Sequence, residues 1–252
     1  MTELITSRRN DNIVRLKKLI SSKRFRRENG EFVCEGKKLL REALMWNAEI
    51  TSVFACGDLE WDIPQGAKRF AVSRELLEYA SSQKTPQDVI FTCKIKPAEK
   101  PLSMTRGNII LENIQDPGNV GTALRSAAAF GVDTVILAGD CADPYSVKSV
   151  RASMGAVFHS NIVEMAMVEL GQCRENGMKI FGASLSDRSK SVEDVGLAGV
   201  TVAIGNEGGG LSAQMLELCD EEIIIPIAEG CESLNAAAAA AIIMWEMSKA
   251  NR

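Results

Sequence analysis

From residue 107 onward, short apolar strand patterns alternate with helix patterns, and this alternation limits the folds that the chain can adopt. Six predicted strands cover residues 108–111, 134–137, 162–164, 179–183, 200–204 and 222–225. Five predicted helices cover residues 118–130, 146–154, 168–176, 212–219 and 233–247. Strands this apolar, when separated by helices, are typical of a parallel sheet that is covered on both faces. We therefore predict an α/β fold for this part of the chain.

The last strand and helix of this pattern flank an unusual stretch of sequence, residues 222–247. The isoleucines at 223–225, followed by Pro226, predict a buried strand that stops sharply. Ser233 is well placed to cap the helix that follows. Six consecutive alanines, 236–241, give a slim helix that can lie close to other backbone. The plain alternative for such an alanine run is an ordinary buried core helix.

The residues before 99 also mix strand and helix patterns, which indicates a second, smaller unit. Predicted helices cover residues 10–20, 36–46 and 73–79, and predicted strands cover residues 32–34, 50–55, 69–72 and 88–93. Two prolines and mixed charge then mark a linker. We predict a basic arm with a small α/β domain over residues 1–98, a linker over 99–106 and a larger domain over 107–252.

Composition argues against several classes of protein and site. Apolar residues make up 46% of the chain and charged residues 25%, as is ordinary for globular proteins. Because there is no run of about 18 apolar residues and no signal-peptide pattern, we expect a cytoplasmic protein without a membrane span. Seven cysteines without a Cys-x-x-Cys pair favour reduced thiols. His159 is the only histidine, so we expect no metal site and no histidine-dependent triad.

The charges are distributed unevenly along the chain. The net charge of −4 combines +6 over residues 1–106 with −10 over residues 107–252. Residues 1–30 hold nine basic side chains against three acidic ones. The basic set is Arg8, Arg9, Arg15, Lys17, Lys18, Lys23, Arg24, Arg26 and Arg27. This run predicts contact with a polyanion, above all nucleic acid, and the alternative is a solvated helix face.

Three polar, glycine-containing stretches begin where predicted strands end: residues 113–121, 205–212 and 226–235. Ligands of parallel sheets bind beyond the carboxyl ends of the strands, so we predict that these stretches form one site. Asn119, which is also a candidate helix cap, and Arg125 are about 120° apart around a helix, and they can flank one cleft. The four glycines of the second stretch let backbone approach a ligand closely.

These stretches carry three motifs. The first reads Asn-Ile-Gln-Asp-Pro-Gly-Asn-Val-Gly-Thr from Asn113, with arginine at position 125. The second reads Gly-Asn-Glu-Gly-Gly-Gly-Leu-Ser from Gly205, and the third joins Ile-Pro-Ile from Ile225 to the Ser-Leu-Asn that ends at Asn235. A glycine-rich turn alone is a weak signal, but the three motifs in this order are specific.

Through these motifs, residues from about 107 to 250 resemble the SpoU branch of the SPOUT superfamily. That branch consists of S-adenosylmethionine-dependent RNA ribose 2′-O-methyltransferases. Residues from about 30 to 95 resemble, more loosely, the small substrate-binding domain that precedes the catalytic domain in many members. One departure is the alanine run at 236–241, where relatives mix valine, serine and alanine, and we expect it to affect packing rather than activity.

The resemblance implies a deep C-terminal trefoil knot and a homodimer whose active site draws on both subunits, although the residues alone suggest an ordinary doubly wound sheet. It implies S-adenosylmethionine as cofactor, held by backbone around Gly205, Ile225 and Leu234. The catalytic positions that it implies are Asn119, Arg125, Glu207, Ser233 and Asn235. Because a guanidinium stays protonated in proteins, we assign Arg125 to positioning and charge stabilisation rather than to proton removal.

The resemblance also implies an RNA substrate, with the basic run and the small domain as its contacts and Lys148 and Arg151 as additions to them. We favour ribosomal RNA over transfer RNA by analogy with members that have a small N-terminal domain. The alternatives are a transfer RNA ribose 2′-O-methyltransferase and a non-catalytic RNA-binding protein with the same fold. A Rossmann-type nucleotide-dependent oxidoreductase is a further alternative, but the chain lacks the Gly-x-Gly-x-x-Gly fingerprint.

Overall fold

A computed structural model of the chain describes residues 2–83, 85–98, 102, 107–228, 230–231 and 233–250. They form two compact units. Unit 1 contains the described residues of Met1–Pro97 together with the segment Asp143–Phe158, and unit 2 contains those of Ala98–Ala142 and His159–Arg252. The predicted linker, residues 99–106, lies outside the described residues except for Leu102.

Unit 1 is built on a mixed five-stranded sheet. Its strands are β1 (Thr2–Ile5), β2 (Glu31–Glu35), β3 (Ile50–Ala55), β4 (Lys68–Val72) and β5 (Val89–Lys94). Their order across the sheet is β1-β4-β3-β5-β2. The strand β4 pairs in parallel with β1 and β3, whereas β5 runs antiparallel to β2 and β3. The first four helices of the chain also belong to this unit: α1 (Asp11–Ser21), α2 (Lys23–Asn29), α3 (Lys37–Met45) and α4 (Arg74–Ala80).

The basic run at the start of the chain is folded into α1 and α2. Ile13, Leu16 and Leu19 recur at helical spacing and bury one face of α1 in the core of unit 1. Part of the basic charge is used inside the fold, because the Arg26 side chain is only 6% exposed and its guanidinium lies 2.7 Å from a carboxylate oxygen of Asp143. Arg26 is therefore not available to a polyanion, contrary to the sequence-based prediction.

The segment Asp143–Phe158 packs with unit 1 although it lies between two strands of unit 2. It carries helix α6 (Val147–Ser153) and a 3₁₀ turn, Ala156–Phe158. Phe32 of β2 contacts Tyr145, with ring centroids 5.1 Å apart, and Phe158, at 6.1 Å. Aromatic contacts and a buried ion pair thus hold the segment in unit 1. Lys148 and Arg151 lie on α6, and both are exposed.

Unit 2 is a seven-stranded sheet in which every strand pairing is parallel. The strands are β6 (Asn108–Glu112), β7 (Thr134–Ala138), β8 (Asn161–Met165), β9 (Ile180–Ala183), β10 (Lys190–Ser191), β11 (Thr201–Ile204) and β12 (Glu221–Ile224). The order is β10-β12-β9-β11-β6-β7-β8. The helices are α5 (Pro117–Phe130), α7 (Met167–Glu175), α8 (Ala213–Leu218) and α9 (Ala236–Ala250). The predicted parallel α/β fold is confirmed.

Two helix caps differ from the sequence-based prediction. The last helix starts at Ala236, and Oδ1 of Asn235 accepts hydrogen bonds from the backbone N–H groups of Ala237 at 3.0 Å and Ala238 at 3.3 Å. Asn235, not Ser233, is therefore its cap. The helix α5 is capped by Asp116, so Asn119 lies inside its first turn and is not the cap.

The described part of the chain lacks a membrane-spanning helix, a disulfide and a cluster of metal-binding side chains. None of its helices is long and apolar enough to cross a membrane. No disulfide joins any two of its cysteines. No group of three His, Cys, Asp or Glu side chains within it is arranged to hold a metal ion.

Candidate functional site

The carboxyl ends of β6, β11 and β12 each lead into one of the three predicted motif stretches. Pro117 and the Asp116 cap turn the chain from β6 into α5. The glycine-rich stretch joins β11 to α8, and the third stretch joins β12 to α9. Since β11 and β6 are adjacent parallel strands, their loops leave the sheet at the same edge.

Three motif side chains form a continuous hydrogen-bonded chain at this edge. The Nδ2 of Asn235 donates to Oδ1 of Asn119 at 3.1 Å, and the Nδ2 of Asn119 donates to a carboxylate oxygen of Glu207. The Oδ1 of Asn235 caps α9, so the chain runs from a helix N-terminus to a carboxylate. The partial positive charge of the helix N-terminus and the negative charge of Glu207 both favour this direction.

The glycine-rich stretch is a tight loop fastened to the end of β6. Asn206 and Gly210 exchange two backbone hydrogen bonds of 3.0 and 2.9 Å. The Nδ2 of Asn206 donates to the backbone carbonyl of Asn113 at 2.9 Å. Any Cβ at Gly205 would overlap the backbone of Gly210, so this position requires glycine.

Glu112 at the end of β6 is a residue that sequence reasoning missed. Its side chain is fully buried, and its carboxylate accepts from the backbone N–H of Ser212 at 2.9 Å and from the hydroxyl of Ser212 at 2.5 Å. Ser212 closes the glycine-rich loop and caps α8. Glu112 therefore holds the far end of the loop, as Asn113 holds its start. The sequence signal that could have revealed Glu112 is a charged residue directly before the first motif.

A cavity of about 230 Å³ opens beside this loop. The predicted cofactor-binding residues Gly205, Ile225 and Leu234 all line it, together with Glu207 and Ser233. Further lining residues are Ala183, Ser184, Leu185, Ile204, Asn206, Gly210, Ile223, Ile224, Ile227, Ala236 and Ala239. The wall is thus mostly apolar side chains and exposed backbone, with polar groups at the loop.

A fourth loop, which the sequence-based prediction did not include, also borders this cavity. It follows β9, and its residues Ser184 and Leu185 are part of the cavity wall. Ser184 and Ser186 donate to one carboxylate oxygen of Glu222 at 2.5 and 2.9 Å, and Arg188 lies 2.9 Å from the other oxygen. These hydrogen bonds, with that of Ser184 the largest contribution, lower the pKa of Glu222 below its ordinary value. The serine-rich sequence after a predicted strand was the available signal.

The remaining predicted residues have different placements. Arg125 is exposed on α5, it does not line the cavity, and its guanidinium has no hydrogen bond or ion pair with the residues that the structure describes. Ser233 is an exposed residue of the cavity wall. Lys148 and Arg151 belong to unit 1 and do not line the cavity. The structure therefore brings Asn119, Glu207 and Asn235 into direct contact and leaves Arg125 outside their hydrogen-bonded chain.

Comparison with known proteins gives two family matches. Residues 107–245 match the model of the SpoU rRNA Methylase family, and residues 10–90 match the MRM3-like substrate binding domain. The first match covers the whole of the candidate site and more than half of the chain.

Relatives and solved structures agree with these matches. The chain is 30% identical to a 23S rRNA (guanosine(2553)-2′-O)-methyltransferase of Bacillus subtilis, covering 96% of this chain and 98% of that protein. An AdoMet-bound rRNA methyltransferase from Sinorhizobium meliloti superposes with a TM-score of 0.86 at 25% identity, covering 98% of both chains. The SpoU methyltransferase AviRb from Streptomyces viridochromogenes, in complex with AdoMet, gives a TM-score of 0.84 at 26% identity, covering 96% of this chain and 98% of that one. On the family match and the near full-length similarity, the chain belongs to the SpoU rRNA Methylase family.

Proposed function

We propose that this chain transfers a methyl group from S-adenosylmethionine to the 2′-hydroxyl of a ribose in structured RNA, and that the RNA is ribosomal. The observation that carries the proposal is the hydrogen-bonded chain Asn235–Asn119–Glu207, in which Glu207 also lines the 230 Å³ cavity. Three separate motifs meet there.

The cavity fits S-adenosylmethionine by its chemistry. Its apolar wall, which includes Ile223 and Leu234, suits an adenine ring, and backbone groups near Gly205 and Ile225 suit the polar edge of that ring. The close packing of Gly205 against Gly210 brings the backbone itself to the cavity wall. We assign cofactor binding to Gly205, Ile225 and Leu234.

When bound, the cofactor supplies an electrophilic methyl group on a sulfonium. As the sulfur–methyl bond breaks and the oxygen–methyl bond forms, the hydroxyl proton is released to solvent. The residues of the chain must hold the ribose hydroxyl oxygen in line with that methyl group and stabilise the charge that develops on the oxygen. Arg125 is suited to both tasks because its guanidinium is exposed, always charged and without a partner among the described residues. We assign it to the phosphate and the hydroxyl of the target nucleotide.

The other four positions shape the place where the nucleotide lies. Asn119 bridges Asn235 and Glu207, so it fixes the start of α9 and the glycine-rich loop relative to α5. Glu207 keeps an exposed carboxylate at the cavity wall, and Ser233 offers a hydroxyl there. We assign Asn119, Glu207, Ser233 and Asn235 to substrate positioning together with Arg125.

The choice of ribosomal RNA rests on the relatives. The Bacillus subtilis protein is named as a 23S rRNA methyltransferase, and it matches over nearly the full length of both chains. Unit 1 matches a substrate-binding domain, and we propose that it contacts the RNA through salt-sensitive phosphate contacts. The homodimer, the trefoil knot and the cytoplasmic location remain predictions. The burial of Ala236, Ala237 and Ala240 in α9 supports the close packing that a knot requires.

Calorimetry and a methyl-transfer assay test the proposal together. The purified chain should bind S-adenosylmethionine and not NAD, and it should transfer labelled methyl groups to ribosomal RNA more than to transfer RNA. A preference for transfer RNA would change the proposed substrate but not the proposed reaction. Binding of NAD without S-adenosylmethionine would overturn the proposal in favour of an oxidoreductase.

A further inference from the structure

Unit 1 has a groove between the C-terminal parts of α1 and α4. The groove encloses about 320 Å³, within the ~300–1,000 Å³ range of ligand pockets. Val14, Lys17, Lys18, Ile20 and Tyr79 are among the residues that line it. All of them belong to unit 1, so the groove is separate from the cavity beside the glycine-rich loop.

The groove exposes aromatic and apolar surface. Tyr79 is 37% exposed, and Val14 on the facing helix is 39% exposed. An exposed tyrosine ring in a concave site offers a flat surface on which another ring can stack.

Cations surround this ring. The ammonium nitrogen of Lys17 lies 3.8 Å from the ring centroid of Tyr79 and donates to the backbone carbonyl of the same residue at 2.9 Å. The guanidinium carbon of Arg8 lies 4.8 Å from the centroid, but this guanidinium is paired with the carboxylate of Glu75. Lys18, the neighbour of Lys17 in α1, is exposed. Among the described lining residues there is no carboxylate. Lys17 and Lys18 therefore give the lining of the groove two positive charges and no negative one, in a chain of net charge −4.

We propose that this groove binds one unpaired nucleotide of the RNA substrate, with its base stacked on Tyr79 and its phosphate contacting Lys17 and Lys18. This inference rests on the proposed function, since it names the form of RNA that unit 1 recognises. Stacking on an aromatic ring beside cations is the way proteins hold single-stranded RNA. When the nucleotide binds, the ammonium group of Lys17 leaves the ring of Tyr79 and contacts the phosphate instead.

Binding of a short probe to the full chain tests the groove directly. The probe is a fluorescein-labelled single-stranded RNA of mixed sequence, measured by anisotropy at fixed salt. Tyr79→Ala should raise its Kd about tenfold, because the stacking surface is lost. Tyr79→Phe keeps the ring and should stay within about twofold. The double change of Lys17 and Lys18 to Gln should weaken binding and make it less dependent on salt.

Matched controls lie elsewhere on unit 1. Trp46→Ala removes a ring that is 46% exposed outside the groove, and Arg41→Gln removes a cation that is exposed on α3, outside the basic run. Both variants should bind the probe like the unchanged chain. Thermal unfolding of every variant shows whether it is folded, and the comparison of Tyr79→Ala with Tyr79→Phe isolates the ring.

The outcomes separate this inference from the proposed function. If Tyr79→Ala and Trp46→Ala bind the RNA probe with equal affinity, and the chain still methylates RNA, the inference about the groove is wrong and the proposed function stands. A lower sedimentation mass for Tyr79→Ala with unchanged RNA affinity assigns the groove to a second copy of the chain and also overturns the inference. If the unchanged chain neither binds nor methylates RNA, the proposed function fails and the inference fails with it.

Discussion

Asn119 connects two motifs that are far apart in the sequence. Its amide nitrogen donates to Glu207 and its amide oxygen accepts from Asn235, so the position needs a side chain with both a donor and an acceptor. Asp at this position would present a second carboxylate to Glu207, and Ser would be too short to reach both partners. The residue type therefore follows from the geometry as well as from the motif.

At the same scale, Arg125→Ala should abolish methyl transfer and leave S-adenosylmethionine binding nearly unchanged. The physical reason is that Arg125 is exposed on α5 and does not line the cavity. Calorimetry and a labelled-methyl assay measure the two effects separately. Activity that survives within a few-fold would show that the role assigned to the guanidinium is wrong.

The buried carboxylate of Glu112 gives a second prediction about single residues. Glu112→Gln should lower the free energy of unfolding by about 1 kcal/mol, because only one terminal atom of the amide can accept, so one of the two hydrogen bonds from Ser212 must be lost or reversed. Cofactor affinity should fall as well, since the far end of the glycine-rich loop is released. Denaturant unfolding and calorimetry measure the two quantities.

A variant of Ser212, the hydrogen-bond partner of Glu112, supplies the control for this prediction. Because the two side chains act through a shared hydrogen bond, the effects of Glu112→Gln and Ser212→Ala should be non-additive in the double variant. Purely additive losses would show that the two residues stabilise the protein independently.

Sequence reasoning identified the motif residues but assigned two of the caps wrongly. Ser, Asn and Asp have similar preferences for the cap position, so the residue types alone leave Ser233 and Asn235 as competing candidates. The path of the backbone decides between them, and it places the first turn of α9 after Asn235. Glu112 was missed because burial of a carboxylate depends on a partner from another motif.

At the scale of elements, the glycine-rich loop is a tightly constrained connection in unit 2. It is fastened to β6 at Asn113 and Glu112, and it closes on itself through Asn206 and Gly210. A loop held at both ends presents its backbone in one conformation, which favours recognition of a cofactor without ordering at the moment of binding.

Two glycines of this loop give a matched pair of variants. Gly205→Ala should weaken S-adenosylmethionine binding and lower the melting temperature, because the new Cβ would overlap the backbone of Gly210. Gly209→Ala should change neither quantity, because a Cβ there meets no atom within 4 Å among the described residues. Calorimetry and thermal unfolding check both variants, and equal effects from the two would contradict the geometry of the loop.

The loop after β9 gives a prediction about pH. Because hydrogen bonds lower the pKa of folded Glu222, its ionised form stabilises the fold at neutral pH. That contribution is present above the ordinary glutamate pKa of about 4.3 and disappears as the pH falls through the lower folded value. The stability difference between the unchanged chain and Glu222→Gln should therefore shrink below about pH 4.

Denaturant unfolding across acidic pH measures this difference. Glu217→Gln, which changes an exposed carboxylate on α8, is the control and should show little difference at any pH. A stability difference for Glu222→Gln that stayed constant down to the lowest pH would argue against the hydrogen bonds from Ser184 and Ser186.

At the scale of the whole molecule, the apolar periodicity predicted the sheet of unit 2 well. Its strands are continuous apolar runs, and those are the segments that a doubly covered parallel sheet must bury. The short strands β1 and β10 and the helix α2 were missed because they bury few apolar side chains and depend on partners far away in the chain. The packing of Asp143–Phe158 with unit 1 likewise depends on distant partners, Arg26 and Phe32.

The family was identifiable from three motifs, whereas the substrate was not. The motifs border the cavity that we assign to the cofactor, and they lie within the family match over residues 107–245. We attribute the choice of RNA to the surface of unit 1, where the pattern of charge gives only a general attraction to phosphate. The basic run illustrates this limit, since Arg26 belongs to the core of the fold.

The most direct test of the account is a map of ribose methylation across total RNA from a strain that lacks this chain. The proposed function predicts the loss of 2′-O-methylation at a single ribosomal RNA nucleotide, restored by the unchanged chain and not by Arg125→Ala. An unchanged map, or the loss of a methyl group from a base rather than from a ribose, would contradict it.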